Sequence, residues 1–486
     1  MADLRRSLVI NFFSSSGAAL VQFMVSITLA RMLTPSEIGV FSMTVVFVNI
    51  AHIFRDFGVA TYLQREPDLT REKMRSAIGV LLASSWLIAL LLVLVSQLIG
   101  DWFREPGIVP VMRVLAVGFL IIPFGSVTNA MLAREFAADK QAVITAAGTV
   151  SFCATCIGCA ALGFGSMSLA YANLCNIVVC ALASIPFRPK GTPFLPSFRH
   201  WGAVVNFGAG TLITNCATAI NNALPDILLG KLGTAHHVGL FSRANSTVSI
   251  FSHVAGTTVT YGAVSYLSRA HQSGESLVPI LKRATALLTG VGWPAFALTA
   301  ILGRDIVMTL YGDAWLDCVP AITPLAIAIG LTMVFQYTPI ALTAIGRPYL
   351  GAFPVVVTLF TRIGFAFLLF DGSLRTFSWT ICFATVAAVP IMLMQQRKYF
   401  GVGLGALLRT LKPSALTTLN CVIACEALKL LIPETLAPMA RLALIAVPLV
   451  VVWYLALRLT GHELSSEVDH VIGGMKTRLI RLAGQR

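Results

Sequence analysis

The chain has 486 residues, of which 57% are hydrophobic and only 12% are charged. Soluble domains carry about a quarter charged residues, so this composition excludes a water-soluble fold. The formal net charge of +14 indicates basic cytoplasmic loops rather than nucleic-acid binding, because the cytoplasmic loops of membrane proteins collect Lys and Arg.

Apolar segments of about 20 residues, bounded by charged residues, Pro or Gly, follow one another along the chain. Continuous apolar runs of this length favour helices over the strands of a membrane barrel, which alternate apolar and polar residues. The fold class is therefore all-α integral membrane, and we predict fourteen transmembrane helices, at 8–30, 38–58, 77–99, 110–131, 142–163, 167–187, 202–226, 238–262, 284–303, 320–344, 349–370, 375–394, 414–431 and 440–459.

The basic residues predict the orientation of these helices. With an even number of helices both termini lie on one side, and 24 of the 35 Lys and Arg fall on that side. The opposite side holds 8 of them, and Arg55, Arg243 and Arg362 remain inside helices. Because Lys and Arg are enriched on the cytoplasmic side, we expect the N and C termini in the cytoplasm.

The segment that follows the first helix recurs about 200 residues later. LARMLT at 29–34 and GVFS at 39–42 match LGKLGT at 229–234 and GLFS at 239–242. A second echo, with an offset near 210, relates Pro110 to Pro320 and Arg134 to Arg347. Both echoes keep their order and membrane side, which is typical of parallel repeats in transporters; chance recurrence of Leu, Gly and Ser is the alternative.

The repeats predict two six-helix bundles related by a pseudo-two-fold axis along the membrane normal, with a pair of helices appended. We assign the first bundle to 1–200, the second bundle to 201–400, and helices 13 and 14 with a basic cytoplasmic tail to 401–486. Paired bundles that rock against each other are how transporters alternate access.

Ionisable side chains at membrane depth cost about 2.5–3.5 kcal/mol each, so each needs a partner, water or a function. Arg55 and Asp56 lie near the cytoplasmic end of helix 2, with Asn49 on a similar face. An interfacial pair that snorkels to the headgroups is the alternative interpretation. Asp226 lies near the outer end of helix 7, where an ion pair with Lys231 is the alternative.

Two more arginines lie deeper in the predicted helices. Arg243 is about a turn and a half inside helix 8, close to Asn245, and Arg362 is near the middle of helix 11. Because a guanidinium stays charged, we expect each to face a cavity or a carboxylate such as Asp226. Arginine binds phosphate through a bidentate fork, so a central cavity lined by these residues suits an amphiphile with an anionic headgroup.

Other motifs point to no further chemistry. The sequence lacks a phosphate loop of the G-x-x-x-x-G-K-[ST] type, which excludes ATP hydrolysis within the chain, and we expect no cofactor and no metal site. Residues 462–470 lack the paired histidines of a zinc protease helix, and we interpret them as the solvated start of the tail. The basic residues of 471–486 alternate with apolar ones, which predicts a helix lying on the membrane surface.

Three segments carry a family resemblance: LARMLTPSEIGVF at 29–41 with FRDFGVA at 54–60 and Gln64; DILLGKLG at 226–233 with GLFSRA at 239–244; and LYGDAW at 310–315. They resemble the Wzx-like polysaccharide transporter branch of the multidrug/oligosaccharidyl-lipid/polysaccharide exporter superfamily. Phe241 stands where the family more often has tyrosine, and Lys231 where it often has arginine.

The resemblance implies a flippase of a bacterial inner membrane, one that moves an undecaprenyl-pyrophosphate-linked oligosaccharide to the periplasmic leaflet for exopolysaccharide or lipopolysaccharide biosynthesis. The candidate substrate-binding residues are then Arg55, Arg243, Arg362, Asn49 and Asn245, and the candidate counter-charges or ion-coupling residues are Asp56 and Asp226. The expected partners are the lipid-linked oligosaccharide, membrane lipids, a polysaccharide polymerase and glycosyltransferases.

Two alternatives stay open. A multidrug or metabolite cation antiporter of the same superfamily would place carboxylates rather than arginines in its cavity. A membrane glycan polymerase or ligase would need a large outer loop with catalytic residues, whereas the longest predicted outer segment, about 304–319, is short. We therefore expect a transporter and not an enzyme.

Overall fold

A computed structural model describes residues 17–18, 20–56, 58–66, 69–135, 137–189, 191–193, 196–197, 201–260 and 263–470. These residues form helices and connecting turns and contain no strand. Eleven of the helices in the described ranges are long and apolar enough to cross a membrane. The chain is therefore an all-helical, multi-pass membrane protein, as its composition predicts.

The helices are, in chain order, α1 (Leu20–Ala30), α2 (Pro35–Asp56), α3 (Val59–Arg65), α4 (Arg71–Phe103), α5 (Ile108–Arg134), α6 (Ala138–Ala161), α7 (Met167–Ser184), α8 (Trp201–Leu232), α9 (Ala235–Thr260), α10 (Ala263–Gln272), α11 (Leu277–Ile301), α12 (Gly303–Leu310), α13 (Val319–Val334), α14 (Tyr337–Ala344), α15 (Ala352–Leu369), α16 (Leu374–Phe400), α17 (Leu404–Leu431) and α18 (Pro438–Leu459). Short 3₁₀ helices lie at Asp313–Cys318 and Pro348–Gly351.

Each predicted segment overlaps a helix, but the count of fourteen crossings stays a prediction. Residues 8–16 of the first segment lie outside the described residues. Helices α8 and α9 are not among the eleven candidate spans found in the described residues. The apolar pattern did not indicate the short helices α3, α10 and α12, which connect longer ones.

Contacts between Cα atoms divide the chain into two compact units, Met1–Leu240 and Phe241–Arg486. The first unit contains α1–α8 and the start of α9, and the second contains the rest of α9 and α10–α18. The boundary near residue 200 that the sequence repeats predict stays a prediction. The pair α17 and α18, predicted as an appendage, packs within the second unit, where α17 contacts α11 and α18 contacts α12.

In the first unit, α3 packs against α4 and α5 through a cluster of buried apolar side chains that includes Tyr62, Leu63 and Leu81. Arg134, the last residue of α5, donates two hydrogen bonds from Nη1, to the carbonyl oxygens of Leu63 at 2.8 Å and Glu66 at 2.7 Å. These bonds satisfy carbonyls at the end of α3 that have no partner within the helix.

Exposed apolar side chains follow helical spacing where a lipid-facing surface is expected. On α4, the exposed leucines include Leu87, Leu90, Leu94 and Leu98, which recur every three or four residues and so share one face. A face of this kind would aggregate in water and is stable in contact with lipid.

Candidate functional site

The end of α2 carries three predicted site residues in the first unit. Asn49 is exposed, whereas Arg55 and Asp56 are half-buried. Asn49 and Asp56 are seven residues apart and therefore share a helix face, while Arg55 points about 100° away. A hydrogen bond joins the end of α2 to α4: the Ser84 hydroxyl on α4 donates to the carbonyl oxygen of Arg55 at 2.9 Å.

A histidine that we did not single out fixes the same end of α2. The His52 ring stacks on Phe119 of α5, with ring centroids 4.4 Å apart and planes 22° from parallel. His52 lies one turn before Arg55 and Asp56, so this contact holds the end of α2 on α5. A single histidine in an apolar run gave no signal for the contact, since its partner is far away in the sequence.

Asp226 on α8 is half-buried and directly follows Pro225. The Lys231 ammonium donates a hydrogen bond of 2.9 Å to the carbonyl oxygen of Trp102 and lies 4.9 Å from the centroid of the Trp102 ring. Among the described residues no ion pair joins Lys231 to Asp226, the partner that the alternative interpretation expects. Lys231 instead ties the end of α8 to α4.

Arg243 on α9 lies in an aromatic box in the second unit. Its guanidinium carbon is 5.6 Å from the centroid of the Trp315 ring and 5.8 Å from that of Tyr311. Arg243 is only 7% exposed, and Tyr311 and Trp315 are 1% and 0% exposed. Cation–π attraction is strongest at such desolvated sites, so the box stabilises a charge that would otherwise be costly at this depth.

Hydrogen bonds support the box. The Thr247 hydroxyl, one turn further along α9, donates to the carbonyl oxygen of Arg243 at 2.8 Å and lies 3.3 Å from the Tyr311 hydroxyl. The structure thus brings together two of the family segments, 239–244 and 310–315. The sequence alone does not connect the two segments, although a buried arginine does require an electron-rich or anionic neighbour.

The structure does not bring Arg243 and Asn245 together. Two residues along a helix correspond to a rotation of about 200°, and accordingly Arg243 is buried whereas Asn245 is exposed. Phe241, which replaces the more usual tyrosine, packs edge-to-face on Phe377 with ring centroids 5.7 Å apart. The aromatic packing at this position therefore needs no hydroxyl.

Arg362 lies on the protein-facing side of α15. It continues a row of residues spaced by four, in which Pro354, Thr358 and Ala366 are all buried. The exposed apolar side chains of α15 lie on the other side of the helix and include Phe353, Val356, Phe360 and Phe367. Arg362 therefore points away from the lipid-facing stripe, and its contact with a ligand stays a prediction.

Within the described ranges, no group of three or more His, Cys, Asp or Glu side chains is arranged to hold a metal ion. The chemistry that these residues offer is that of buried or half-buried guanidinium groups with few carboxylates. Such groups bind anions, and phosphate in particular.

Comparisons with known proteins place the chain among polysaccharide biosynthesis proteins. The family described as polysaccharide biosynthesis protein matches residues 28–320, which is more than half of the chain. The lipopolysaccharide biosynthesis protein WzxC of Escherichia coli is 20% identical over 321 residues, which are 65% of this chain and 64% of WzxC. The teichuronic acid biosynthesis protein TuaB of Bacillus subtilis is 22% identical over 382 residues, 76% of this chain and 77% of TuaB.

Solved structures share the fold. The lipid II flippase MurJ in an inward closed conformation superposes with a TM-score of 0.75 at 10% identity, covering 93% of this chain and 99% of MurJ. A multidrug resistance MATE family transporter in an inward-facing conformation gives a TM-score of 0.64 at 18% identity, covering 81% of this chain and 96% of the transporter. The match over more than half of the chain settles the family: the chain belongs to the family described as polysaccharide biosynthesis protein.

Proposed function

We propose that the protein is a flippase that moves an undecaprenyl-pyrophosphate-linked oligosaccharide from the cytoplasmic to the periplasmic leaflet of a bacterial inner membrane. The observation that carries this proposal is the combination of the family match over residues 28–320 with the fold of a lipid II flippase over 93% of the chain. Alternating access between two halves and cytoplasmic termini belong to the same proposal.

The charges inside the helices support an anionic substrate. Arg243 and Arg362 both lie on protein-facing sides of their helices, and a guanidinium keeps its charge even where burial is unfavourable. In the proposed cycle Arg55, Arg243 and Arg362 contact the pyrophosphate, and Asn49 and Asn245 are further substrate-binding residues. Asp56 and Asp226 act as counter-charges or couple the cycle to a cation gradient. A polymerase and glycosyltransferases would act before and after the transport step.

A cation antiporter is the second candidate, because a MATE family transporter has the same fold and a fold alone does not fix a substrate. The mainly basic set of intramembrane charges favours the flippase. A glycan polymerase or ligase is disfavoured by the outer segment, where α12 and a 3₁₀ helix occupy residues 303–318 and leave little chain for an acceptor site.

The test uses purified full-length protein in proteoliposomes containing a fluorescent undecaprenyl-pyrophosphate oligosaccharide, with a membrane-impermeant quencher outside. We expect the wild-type protein to move the lipid between leaflets, and Arg362→Ala to slow this movement at least about tenfold, since one charge-assisted contact contributes about 1.5–3 kcal/mol. Arg375→Ala is the matched control, because Arg375 is exposed at the start of α16.

Three results would contradict parts of the proposal. Wild-type protein that moves a cationic drug but no lipid-linked sugar would favour the antiporter. Formation of longer glycans in the vesicles would favour the polymerase. Normal flipping by both Arg362→Ala and Arg243→Ala, with unchanged melting temperatures, would remove the arginines from the site while leaving the flippase itself in place.

A further inference from the structure

A cavity of about 580 Å³ lies in the second unit, and neither Arg243 nor Arg362 lines it. The end of α10, the start of α11, the turn after α14 and the end of α16 surround it. Its polar lining consists of His271, Glu275, Ser276, Arg347, Lys398 and Tyr399. Cavities of about 300–1,000 Å³ are typical of sites for small ligands and headgroups.

Two cationic side chains lie close to one aromatic ring in this cavity. The Arg347 guanidinium carbon lies 5.4 Å from the centroid of the Tyr399 ring, and the Lys398 ammonium lies 5.6 Å from it. Both basic side chains are exposed, and neither takes part in an ion pair with any residue that the structure describes. With Glu275 as the one acidic residue of the lining, the cavity carries a net positive charge.

Arg134, in the first predicted repeat, has different contacts from Arg347. Arg134, which the sequence echo relates to Arg347, donates to the carbonyl oxygens of Leu63 and Glu66. Lys73 forms an ion pair with the Glu66 side chain and closes the same region. Arg347 instead lies over Tyr399 and lines open space. Arg134 thus bonds to backbone carbonyls, whereas Arg347 keeps its guanidinium beside the cavity.

The start of α11 contributes further positive potential. Ser276 caps this 25-residue helix by accepting a hydrogen bond from the Val278 amide, and both residues line the cavity. The N-terminus of a helix carries a partial positive charge that favours anions. Arg347, Lys398 and the N-terminus of α11 therefore all give the cavity positive potential.

The position of the cavity identifies the ligand class. It lies where transmembrane helices end, on the side that the Lys and Arg bias assigns to the cytoplasm, and tyrosine is enriched at this depth beside the lipid headgroups. Arginine binds phosphate through its fork, and lysine binds it as a point charge. We propose that this cavity binds the phosphate of an anionic phospholipid headgroup. This site is separate from the proposed transport site and does not depend on it.

The experiment uses full-length protein in nanodiscs that contain phosphatidylcholine with a small fraction of phosphatidylglycerol. Bound phosphatidylglycerol is counted by native mass spectrometry after release from the disc. We expect retention of phosphatidylglycerol by the wild-type protein and at least a tenfold weaker retention by the double variant Arg347→Gln, Lys398→Gln. Arg397→Gln is the matched control, because Arg397 is an exposed neighbour on α16 that does not line the cavity.

A second arm separates the lipid from a free anion. Inorganic phosphate and pyrophosphate are titrated calorimetrically onto the protein in phosphatidylcholine nanodiscs. Binding of these ions without retention of phosphatidylglycerol would overturn the lipid assignment, and equal retention by wild type and double variant would overturn the site. If the double variant does not fold, Arg347→Lys, which keeps the charge but loses the fork, is expected to weaken retention severalfold; unchanged retention by that variant would contradict the proposal.

Discussion

Gly39 and Gly239, 200 residues apart in the sequence, lie against each other in the first turns of α2 and α9. A Cβ atom added to either glycine would lie 3.1 Å from the backbone nitrogen of the other. The contact is reciprocal: a Cβ at Gly39 would overlap the carbonyl oxygen of Ala235, and a Cβ at Gly239 would overlap that of Pro35. A two-fold relation between the sequence repeats would produce this reciprocity, so the contact supports the repeats.

The caps of the two helices repeat as well. The Thr34 hydroxyl accepts from the Glu37 amide at 3.3 Å, while the Glu37 carboxylate accepts from the Thr34 amide at 2.8 Å. At the start of α9 the Thr234 hydroxyl accepts from the His237 amide at 3.4 Å and is bonded to the His237 ring at 3.0 Å. Thr34 and Glu37 form a capping box. Thr234 and His237 repeat the half in which the threonine hydroxyl accepts from the amide three residues later, so both glycines follow a threonine-capped helix start.

We predict that alanine at Gly39 or Gly239 destabilises the protein, because the added methyl group meets backbone atoms that cannot rotate away. Overpacking of this kind typically costs about 1–3 kcal/mol. Melting temperatures of the detergent-purified variants should fall, and flipping should decrease with them. Gly158→Ala is the control: Gly158 lies in α6 with open space around its Cβ position, so its melting temperature should be unchanged or higher. Unchanged stability of Gly39→Ala would show that the two helices do not meet as described.

The position of Trp315 beside Arg243 predicts that its aromatic ring stabilises the folded protein through a cation–π interaction. Trp315→Phe keeps an aromatic ring beside the guanidinium, whereas Trp315→Leu keeps only apolar volume. We expect the leucine variant to be less stable than the phenylalanine variant by about 0.5–2 kcal/mol, the range of cation–π interactions. The difference should disappear when Arg243→Met is combined with each variant, as in a double-mutant cycle.

Trp86, which is 51% exposed on α4, is the control for this comparison. Phenylalanine and leucine at position 86 should give equal melting temperatures. A difference between Trp315→Phe and Trp315→Leu that persists without Arg243 would mean that shape, and not charge, determines the packing at 315.

The fold class was predictable from the sequence because the hydrophobic requirement of a bilayer acts on every residue of a span. Helix ends were less predictable. The apolar pattern predicted a helix at 77–99, whereas α4 runs from Arg71 to Phe103. A charged residue such as Arg75 ends the apolar pattern but does not end the helix. The helix begins where the Thr70 side chain caps it by accepting a hydrogen bond from the Lys73 amide.

The sequence indicates which residues are candidates for the site, but it does not indicate which side chains they contact. A lone arginine in an apolar run indicates a partner, yet the partners of Arg243 lie about 70 residues further along the chain, at Tyr311 and Trp315. Lys231 likewise bonds to Trp102 instead of the nearby Asp226. Tertiary packing decides among the partners that a charge could take, and spacing along a helix reveals only those on the same helix.

A nearly buried ion pair joins α12 and α18. The Arg441 guanidinium lies 3.3 Å from the Asp305 carboxylate, and the two side chains are 9% and 13% exposed. The Arg441 guanidinium also lies 3.6 Å from the carboxylate of Glu434, which is 86% exposed and so a weak partner. Removing Asp305 leaves the buried arginine with this exposed partner alone, a loss of up to about 3–5 kcal/mol, whereas replacing both Asp305 and Arg441 by apolar residues is often neutral. We therefore expect Asp305→Leu to lower the melting temperature strongly and the double variant Asp305→Leu, Arg441→Leu to recover most of the loss.

Arg304→Leu is the control for this pair, because Arg304 is an exposed neighbour of Asp305. It should change the melting temperature little. Additive losses in the double variant would mean that Asp305 and Arg441 act independently, which is the result that contradicts a coupled pair.

His462, three residues after the end of α18, is buried with 1% exposure, so the predicted solvated start of the tail at 462–470 is wrong for this residue. Its Nδ1 accepts a hydrogen bond from the Leu464 amide at 3.0 Å, so Nε2 carries the proton and donates to the Ser414 hydroxyl at 2.9 Å. The Ser414 hydroxyl is in turn 2.9 Å from that of Thr289 on α11. The neutral ring therefore connects α11, α17 and the end of α18.

The pKa of His462 lies below its ordinary value of 6.5, because burial disfavours the charged ring and outweighs the neighbouring Glu463 carboxylate. The unfolded chain then binds a proton more readily than the folded one, so stability rises with pH. We expect full stability above pH 6.5 and a progressive loss as the pH falls below it, measured as the melting temperature between pH 7.5 and 5. His462→Asn should lower the melting temperature at pH 7.5, since it breaks the connection, and should flatten the dependence on pH. The control His470→Asn, at an exposed histidine, should retain the wild-type curve; an equally steep curve in His462→Asn would assign the acid sensitivity to other groups.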